Sequence, residues 1–213
     1  MANINAPSGF KPKRHLTGSP YNGQYQTFLL DSGDGTAVFV GDVVKLAGSS
    51  GVAGQVVSGM DVEGVPTVTK ATGVVNAGTS IVGVVVGFSA DPLALQNKYR
   101  VASTSRLAMV VTDPTVVYEV QEDAVTTPIA AASVGLNATF NGGSGTTSTG
   151  VSTATIVSST VAGTSTFPVR ILGLVKRPDN AFNTGGAGTD PAKFEVVFNA
   201  TGLSVGGAGI AGT

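Results

Sequence analysis

Short apolar runs separated by turn residues recur along most of the chain. Each run is three to eight residues long, and many are rich in valine. Glycine, asparagine, serine or an Asp-Pro pair separates the runs at intervals of roughly ten residues. Runs of this length, bounded by turn residues, are typical of β-strands rather than helices. The predicted strands cover residues 27–30, 37–40, 43–46, 55–57, 66–71, 81–88, 99–102, 107–111, 116–120, 151–158, 169–175 and 194–198.

The strand spacing predicts an all-β protein with one or two small β-sandwich or β-barrel units. Valine, isoleucine and threonine together make up about 30% of the residues, and these side chains favour strands. We place a soft boundary near residue 105, between a first β unit (26–105) and a second (106–200); one continuous unit is the alternative. The runs at 107–111 and 116–120 predict a hairpin joined by Asp113-Pro114. Residues 130–138 could form a short helix, and 141–150 a flexible loop.

The two ends of the chain have a different composition from the body. The composition of residues 1–25, the N-terminal arm, predicts an extended segment. This segment has too few apolar residues to pack a core alone, and we expect it to gain order by lying on something else. Residues 201–213 predict a disordered, Gly-rich C-terminus. Helix and sheet are interrupted in the arm by Pro7, Gly9, Pro12, Gly18, Pro20 and Gly23.

Composition narrows the function classes. The chain has one histidine, no cysteine, no tryptophan and only 12% charged residues, so it lacks most side chains that enzymes use for acid–base or nucleophilic chemistry. A net charge of −1 argues against nucleic acid as the main partner. The N-terminal residues show no secretory signal, and no apolar run is long enough for a membrane helix. We therefore expect a non-enzymatic protein of the cytoplasm, without cofactors and without a membrane partner.

Several motifs have simpler explanations than a ligand site. Residues 207–212 match GxGxxG, but no βαβ unit can follow them, which argues against dinucleotide binding. Residues 185–190 resemble a single calcium-binding repeat, and that architecture needs tandem copies. Asp31, Asp34 and Asp42 could surround a cation, although aspartate also favours turns.

The densest acidic group is formed by Glu119, Glu122 and Asp123. On a continuing strand, Glu119 and Asp123 would share one face, and a pair of carboxylates can perform acid–base or glycoside chemistry. A solvated strand end is the simpler interpretation, because no aromatic platform accompanies the carboxylates.

The arm carries a basic cluster with aromatic neighbours. We expect this cluster to dock the arm on an acidic partner surface, with the aromatic residues as apolar anchors; a soluble tail is the alternative. The candidate binding residues are Phe10, Lys11, Lys13, Arg14, His15 and Tyr21.

Residues 8–18 (SGFKPKRHLTG) resemble the opening of a family of structural proteins from tailed bacteriophages, in which a GF-x-P-x-RH-L start precedes a strand-rich body. Further segments resemble that family in the same order. They are residues 37–44, 83–88, 117–123, 135–138 and 170–180.

The resemblance implies a virion component, namely a decoration or cement protein on the outer capsid surface, assembled in the cytoplasm of a bacterial host. Its implied partners are the major capsid protein and itself, as a homotrimer or a dimer. A tail or receptor-binding adhesion module for host glycans is the alternative, although the 6% aromatic content is low for glycan recognition. A hydrolase using Glu119, Glu122 or Asp123 is a third possibility.

Overall fold

The computed structural model describes residues 3–75, 80–92, 94–123, 127–183 and 190–199. The described chain is all-β, as predicted, with two 3-10 turns at Ala131–Ser133 and Ser158–Thr160. Its strands are β1 (Lys11–His15), β2 (Gln26–Leu30), β3 (Val43–Ser50), β4 (Val56–Val57), β5 (Met60–Asp61), β6 (Pro66–Lys70), β7 (Val74–Val75), β8 (Ile81–Phe88), β9 (Arg106–Val111), β10 (Val116–Gln121), β11 (Asn137–Ala138), β12 (Phe140–Asn141), β13 (Gly145–Thr146), β14 (Val151–Ser152), β15 (Thr155–Ile156), β16 (Val169–Leu174) and β17 (Lys193–Phe198).

A small closed barrel forms the first part of the molecule. Its strand order is β2-β6-β3-β8-β9, and all neighbours are antiparallel except the short β2–β6 contact. A separate five-stranded sheet in the order β1-β10-β17-β16-β11 forms the second part. The sheet combines the N-terminal arm with strands from the last half of the chain.

The barrel strands are apolar on both faces because each face packs against a different core. Val85 and Val110 belong to the cluster inside the barrel, whereas their neighbours Val84 and Val111 pack with the five-stranded sheet. Adjacent residues of a strand point to opposite faces, so a continuous apolar run serves both cores. The two parts therefore share a core.

The predicted hairpin between residues 107–111 and 116–120 is wrong. β9 pairs with β2 and β8 in the barrel, and β10 pairs with β1 and β17 in the sheet. The chain thus crosses from barrel to sheet at Asp113-Pro114, rather than near residue 105. A proline turn signals a change of direction but does not specify which strands become neighbours.

Two further local predictions do not hold. The predicted helix at 130–138 is a single 3-10 turn followed by β11. The predicted flexible loop at 141–150 contains β13, which pairs with β14 directly after the loop, and it packs against Phe39 in the segment between β2 and β3. A Cβ at Gly145 would come within 2.2 Å of the Phe39 ring, so glycine is required there for close approach rather than for flexibility.

No helix in the described part of the chain is long and apolar enough to cross a membrane. The predicted Gly-rich C-terminus at 201–213, with its GxGxxG match, lies outside the described residues, as does most of the calcium-repeat match at 185–190.

Candidate functional site

The N-terminal arm lies on its own chain, along the edge of the five-stranded sheet. β1 pairs antiparallel with β10, from Lys11 opposite Glu119 to His15 opposite Val116. The chain then turns back and covers the outer edge of β1: the His15 N–H donates to the Ser19 carbonyl (2.8 Å), and the Tyr21 N–H donates to the Lys13 carbonyl (3.1 Å). The arm is extended, as predicted, but its sheet partner is within the same chain.

Phe10 is part of the core. Its side chain is 1% exposed, and its ring centroid lies 5.3 Å from those of Phe140 and Phe198 and 6.4 Å from that of Tyr118. The prediction that Phe10 anchors the arm on a neighbouring subunit is therefore at odds with this arrangement. The arm has too few apolar residues to build a core, but it adds one ring to a core that distant strands build.

The backbone before Phe10 approaches the barrel closely. The Phe10 N–H donates to the Gly41 carbonyl (3.0 Å), and Gly9 has a φ of +65°. A Cβ at Gly9 would lie 2.5 Å from the Gly41 oxygen, so only glycine fits at this contact.

Two ion-pair groups hold β1 to the sheet. Glu119, whose side chain is 7% exposed, accepts from Lys13 Nζ (2.9 Å) and lies 3.1 Å from Arg177 Nη1. Arg14 Nη2 donates to Glu195 Oε2 at 2.6 Å. The predicted basic cluster therefore docks on acidic side chains, but these belong to its own chain.

The remaining predicted arm residues differ in their surroundings. His15 Nδ1 lies 3.3 Å from Asp113 Oδ2, and the Tyr21 hydroxyl donates to the Gln24 carbonyl (2.7 Å). Burial raises the pKa of Tyr21. Lys11 is exposed and forms no ion pair within the described residues. The structure thus brings all six predicted arm residues to one sheet edge.

The partners of the two carboxyl groups that contact the arm, Glu119 and Asp113, change the pKa values of these groups. Burial acts to raise the pKa of Glu119, but the hydrogen bonds and charges of Lys13 and Arg177 outweigh it and hold the pKa below its usual value. At Asp113, burial again acts upward, and hydrogen bonds from Thr115 together with His15 lower the pKa overall. Both carboxyl groups are therefore stabilised in their charged form.

Acid is expected to weaken this attachment. A carboxyl group whose pKa is lowered by folding contributes fully above about pH 5, and its contribution decreases as the pH falls through the folded-state pKa. Glu119→Gln should reduce the free energy of unfolding by about 1–3 kcal/mol at pH 7, and by clearly less near pH 3. Urea unfolding at both pH values measures this difference.

The matched control for that experiment is Glu63→Gln, which changes an exposed carboxyl group outside the arm and should alter stability at neither pH. An equal loss at pH 7 and pH 3 for Glu119→Gln would mean that packing, rather than charge, explains the contribution of Glu119.

The acidic group at the end of β10 has separate structural roles. Glu122 is fully buried and accepts from the backbone N–H groups of Ile129 (2.7 Å) and Ala192 (2.9 Å); burial raises its pKa against these hydrogen bonds. Asp123 accepts from the Ser158 N–H and hydroxyl. Each of the three carboxylates, including Glu119, is held by its own partners.

The three aspartates considered for a cation also have separate roles. Asp31 accepts from the Gly33 N–H, and Asp34 from the Thr36 N–H, both in turns as the simpler interpretation predicts. Asp42 instead forms a buried ion pair with Lys70 at 2.9 Å. Across the described ranges, no three carboxylate or histidine side chains gather in a way that could hold a metal ion.

The Asp42–Lys70 pair links the barrel to the loop at β14. Asp42 accepts from the Ser152 hydroxyl (2.5 Å) and the Phe39 N–H (2.8 Å), and Lys70 Nζ lies 5.5 Å from the Phe39 ring centroid. Burial raises the pKa of Asp42, while Lys70 and these hydrogen bonds act in the opposite direction. Sequence reasoning missed this pair because Asp42 immediately precedes β3 and Lys70 ends β6, and the sequence does not specify that these two strands pair.

A second feature that sequence reasoning missed is an exposed group of aliphatic side chains at one end of the barrel. Val52, Val56 and Met60, on the hairpin that contains β4 and β5, are 67%, 63% and 49% exposed. Leu95 is 78% exposed, and the adjacent Ala94 borders the same groove as Val56. We call Val52, Val56, Met60 and Leu95 the apolar tip.

The apolar tip has a firm base. On the opposite face of the hairpin, Val57 and Val62 are buried against Leu29 and Leu107 of the barrel. The Ser58 hydroxyl donates to the Ala90 carbonyl (2.7 Å), which connects the hairpin to the loop that carries Leu95. The exposed apolar residues therefore project from a packed support.

Comparison with known proteins gives no match: no family model, no curated protein and no solved structure is significantly similar to the chain.

Proposed function

We propose that this protein is a capsid decoration protein, a non-enzymatic virion component that binds the outer face of a tailed-phage shell and stabilises it. Its partner in this proposal is the major capsid protein. The proposal is supported by the sequence segments that resemble phage structural proteins and that occur in the same order along the chain. Most of those segments form framework strands of this fold, namely β1, β8, β10, β11 and β16.

The apolar tip is the observation that carries the proposal. Exposed apolar side chains that cluster on a supported hairpin are typical of protein–protein contacts. The arm is a weaker candidate for the capsid contact than the sequence indicates, because Phe10, Lys13 and Arg14 are engaged within the chain. We therefore assign the main capsid contact to the tip and a supporting contact to Lys11.

The chemistry of the tip favours a protein partner over a glycan. Glycan-binding surfaces present aromatic rings, on which sugar faces stack. Val52, Val56, Met60 and Leu95 are all aliphatic, and Tyr25, the one strongly exposed aromatic side chain in the described part of the chain, is not part of the tip. The adhesion alternative therefore has less support than the decoration proposal.

A modest contact at the tip suffices for this function. A decoration protein is displayed in many copies on a lattice, and a second contact made by the same molecule multiplies its affinity through effective concentration. A small aliphatic surface of this kind suits repeated, individually weak binding.

The proposal predicts that polar substitution of the tip impairs capsid binding. Val56→Ser combined with Met60→Ser should weaken binding to phage particles assembled without this protein by roughly tenfold or more, because central apolar contacts dominate interface energies. The melting temperature should change little, since both side chains are largely exposed. Co-sedimentation with particles measures the binding.

The matched control is Val74→Ser, which alters a 51% exposed valine on β7, outside the tip. It should bind like the unchanged protein. Undiminished binding of the Val56→Ser, Met60→Ser protein would contradict the role of the tip, and density for this chain on the tail rather than the shell of imaged virions would contradict the decoration function.

Deleting residues 1–24 is a poor test of this function. The deletion removes Phe10 from the core, so loss of capsid binding would also result from partial unfolding. Substitutions at exposed positions separate binding from stability.

A further inference from the structure

We infer that copies of this chain exchange their N-terminal arms, so that residues 3–21 of one chain occupy the sheet edge of another. The inference concerns the free protein and does not depend on capsid binding. It rests on the contacts of residues 3–21, on the last part of the arm (22–25), which connects them to the barrel, and on the order in which the parts of the chain can fold.

The arm binds almost entirely to parts of the chain that are distant in sequence. The Asn3 side chain donates to the carbonyls of Ala181 (2.8 Å) and Asp190 (2.7 Å), the latter 187 residues away. The Ala6 N–H donates to Gln121, and Arg14 to Glu195. An identical arm from a second copy can make every one of these contacts.

The arm forms strand pairs on one side only, although Gly9 and Phe10 also contact the barrel. β1 is the outermost strand of the five-stranded sheet, and its outer edge is covered by residues 19–21 of the arm itself. Residues 3–21 are therefore a unit that can leave and re-enter the sheet edge without separating other strands.

The segment that joins this unit to the barrel is suited to act as a hinge. Residues 22–25 are all exposed, and their side-chain hydrogen bonds are local: Gln24 N–H donates to Asn22 Oδ1 (3.3 Å) and the Gln24 carbonyl accepts from Tyr21. Gly23 has a φ of +87° and open space where a Cβ would lie, so this turn can open without loss of packing. Fully extended, four residues span roughly 13 Å.

Exchange preserves the contacts that stabilise the arm. Phe10 keeps its place among the rings of Tyr118, Phe140 and Phe198, and Lys13 keeps its partner Glu119; only the hinge conformation changes. Domain swapping is a low-cost route to oligomers for this reason. Because β10 and β17 lie far from the arm in the sequence, the arm stays unpaired until these distant strands assemble. During that time the sheet edge of another copy can bind it.

The absence of cysteine from the chain permits a direct test. The Leu16 N–H donates to the Thr115 carbonyl (2.8 Å), and residues paired in this way across antiparallel strands are close enough for a disulfide. Full-length Leu16→Cys and Thr115→Cys proteins with different tags are co-expressed, purified and oxidised with glutathione disulfide. Exchange predicts a mixed disulfide dimer that carries both tags, at roughly tenfold the level of a collision control.

The collision control pairs Leu16→Cys with Thr149→Cys, an exposed threonine on the β13–β14 hairpin. The Leu16→Cys, Thr115→Cys double variant in one chain shows that the disulfide can form: exchange predicts covalently linked oligomers, and a private arm predicts only a closed monomer. Mixed dimers no more abundant than in the control, together with closed monomers of the double variant, would overturn the inference.

A hinge variant provides an independent measurement. Deleting Asn22 and Gly23 shortens the connection so that the arm reaches its own sheet edge less easily, and the fraction of mixed dimers should rise. An unchanged or reduced fraction would also count against exchange.

Discussion

Phe10→Ala is expected to lower the free energy of unfolding by about 3–5 kcal/mol, the range for removing a buried phenylalanine side chain. The substitution leaves a cavity among Tyr118, Phe140 and Phe198, at the point where the arm, the barrel and the sheet share a core. For a chain of this size the melting temperature should fall by roughly 6–20 °C. Scanning calorimetry and urea unfolding measure the two quantities.

The control is Leu16→Ala, which changes a half-exposed apolar residue of the same arm. It should alter stability by no more than about 0.5 kcal/mol. If Phe10→Ala were equally mild, the arm would not be part of the core of the folded protein, and the arrangement of β1 on β10 would be wrong.

Breaking the buried Asp42–Lys70 ion pair is expected to have an effect of similar size. Lys70→Met leaves the Asp42 carboxylate buried without its cation, and Asp42→Asn leaves the Lys70 ammonium without its anion. Each single substitution should cost about 3–5 kcal/mol, because an unpaired buried charge loses hydration without compensation. Urea unfolding of the two variants at pH 7 measures these costs.

The double variant Asp42→Asn, Lys70→Met separates the ion pair from its surroundings. It should cost clearly less than the sum of the single substitutions, because no unpaired charge remains. The half-buried pair Arg14–Glu195, which is partly screened by solvent, is the comparison: Arg14→Met should cost about 1 kcal/mol. Additive costs at Asp42 and Lys70 would show that the two side chains act independently.

The arm combines strong attachment with the possibility of exchange. Phe10 and Glu119 fix the arm to a sheet edge, but neither residue distinguishes its own arm from that of a second copy. A substitution that weakens the attachment, such as Phe10→Ala, therefore lowers the stability of closed and exchanged forms alike. Substitutions or deletions in the hinge at residues 22–25 should instead shift the balance between the closed and the exchanged form.

The positions of many strands and turns could be predicted from the sequence. The strands at residues 81–88 and 169–174 appear almost as the apolar runs predict, because strand formation follows side-chain shape and spacing over a few neighbouring residues. The extended conformation of the arm and the turn roles of Asp31 and Asp34 were accessible for the same reason. Proline, glycine and aspartate act on the backbone within a few residues of themselves.

Which distant segments meet was decided by packing. The basic residues Lys13 and Arg14 look equally suited to a partner protein and to Glu119 and Glu195 of their own chain, and sequence spacing does not distinguish the two. The sequence indicates an external anchor at Phe10 because the residues next to it in the sequence are mostly polar. The aromatic rings that Phe10 contacts belong to residues more than 100 positions away. Packing also decides that β9 joins the barrel and β10 joins the sheet, because strand partners are selected by complementary burial across the whole molecule.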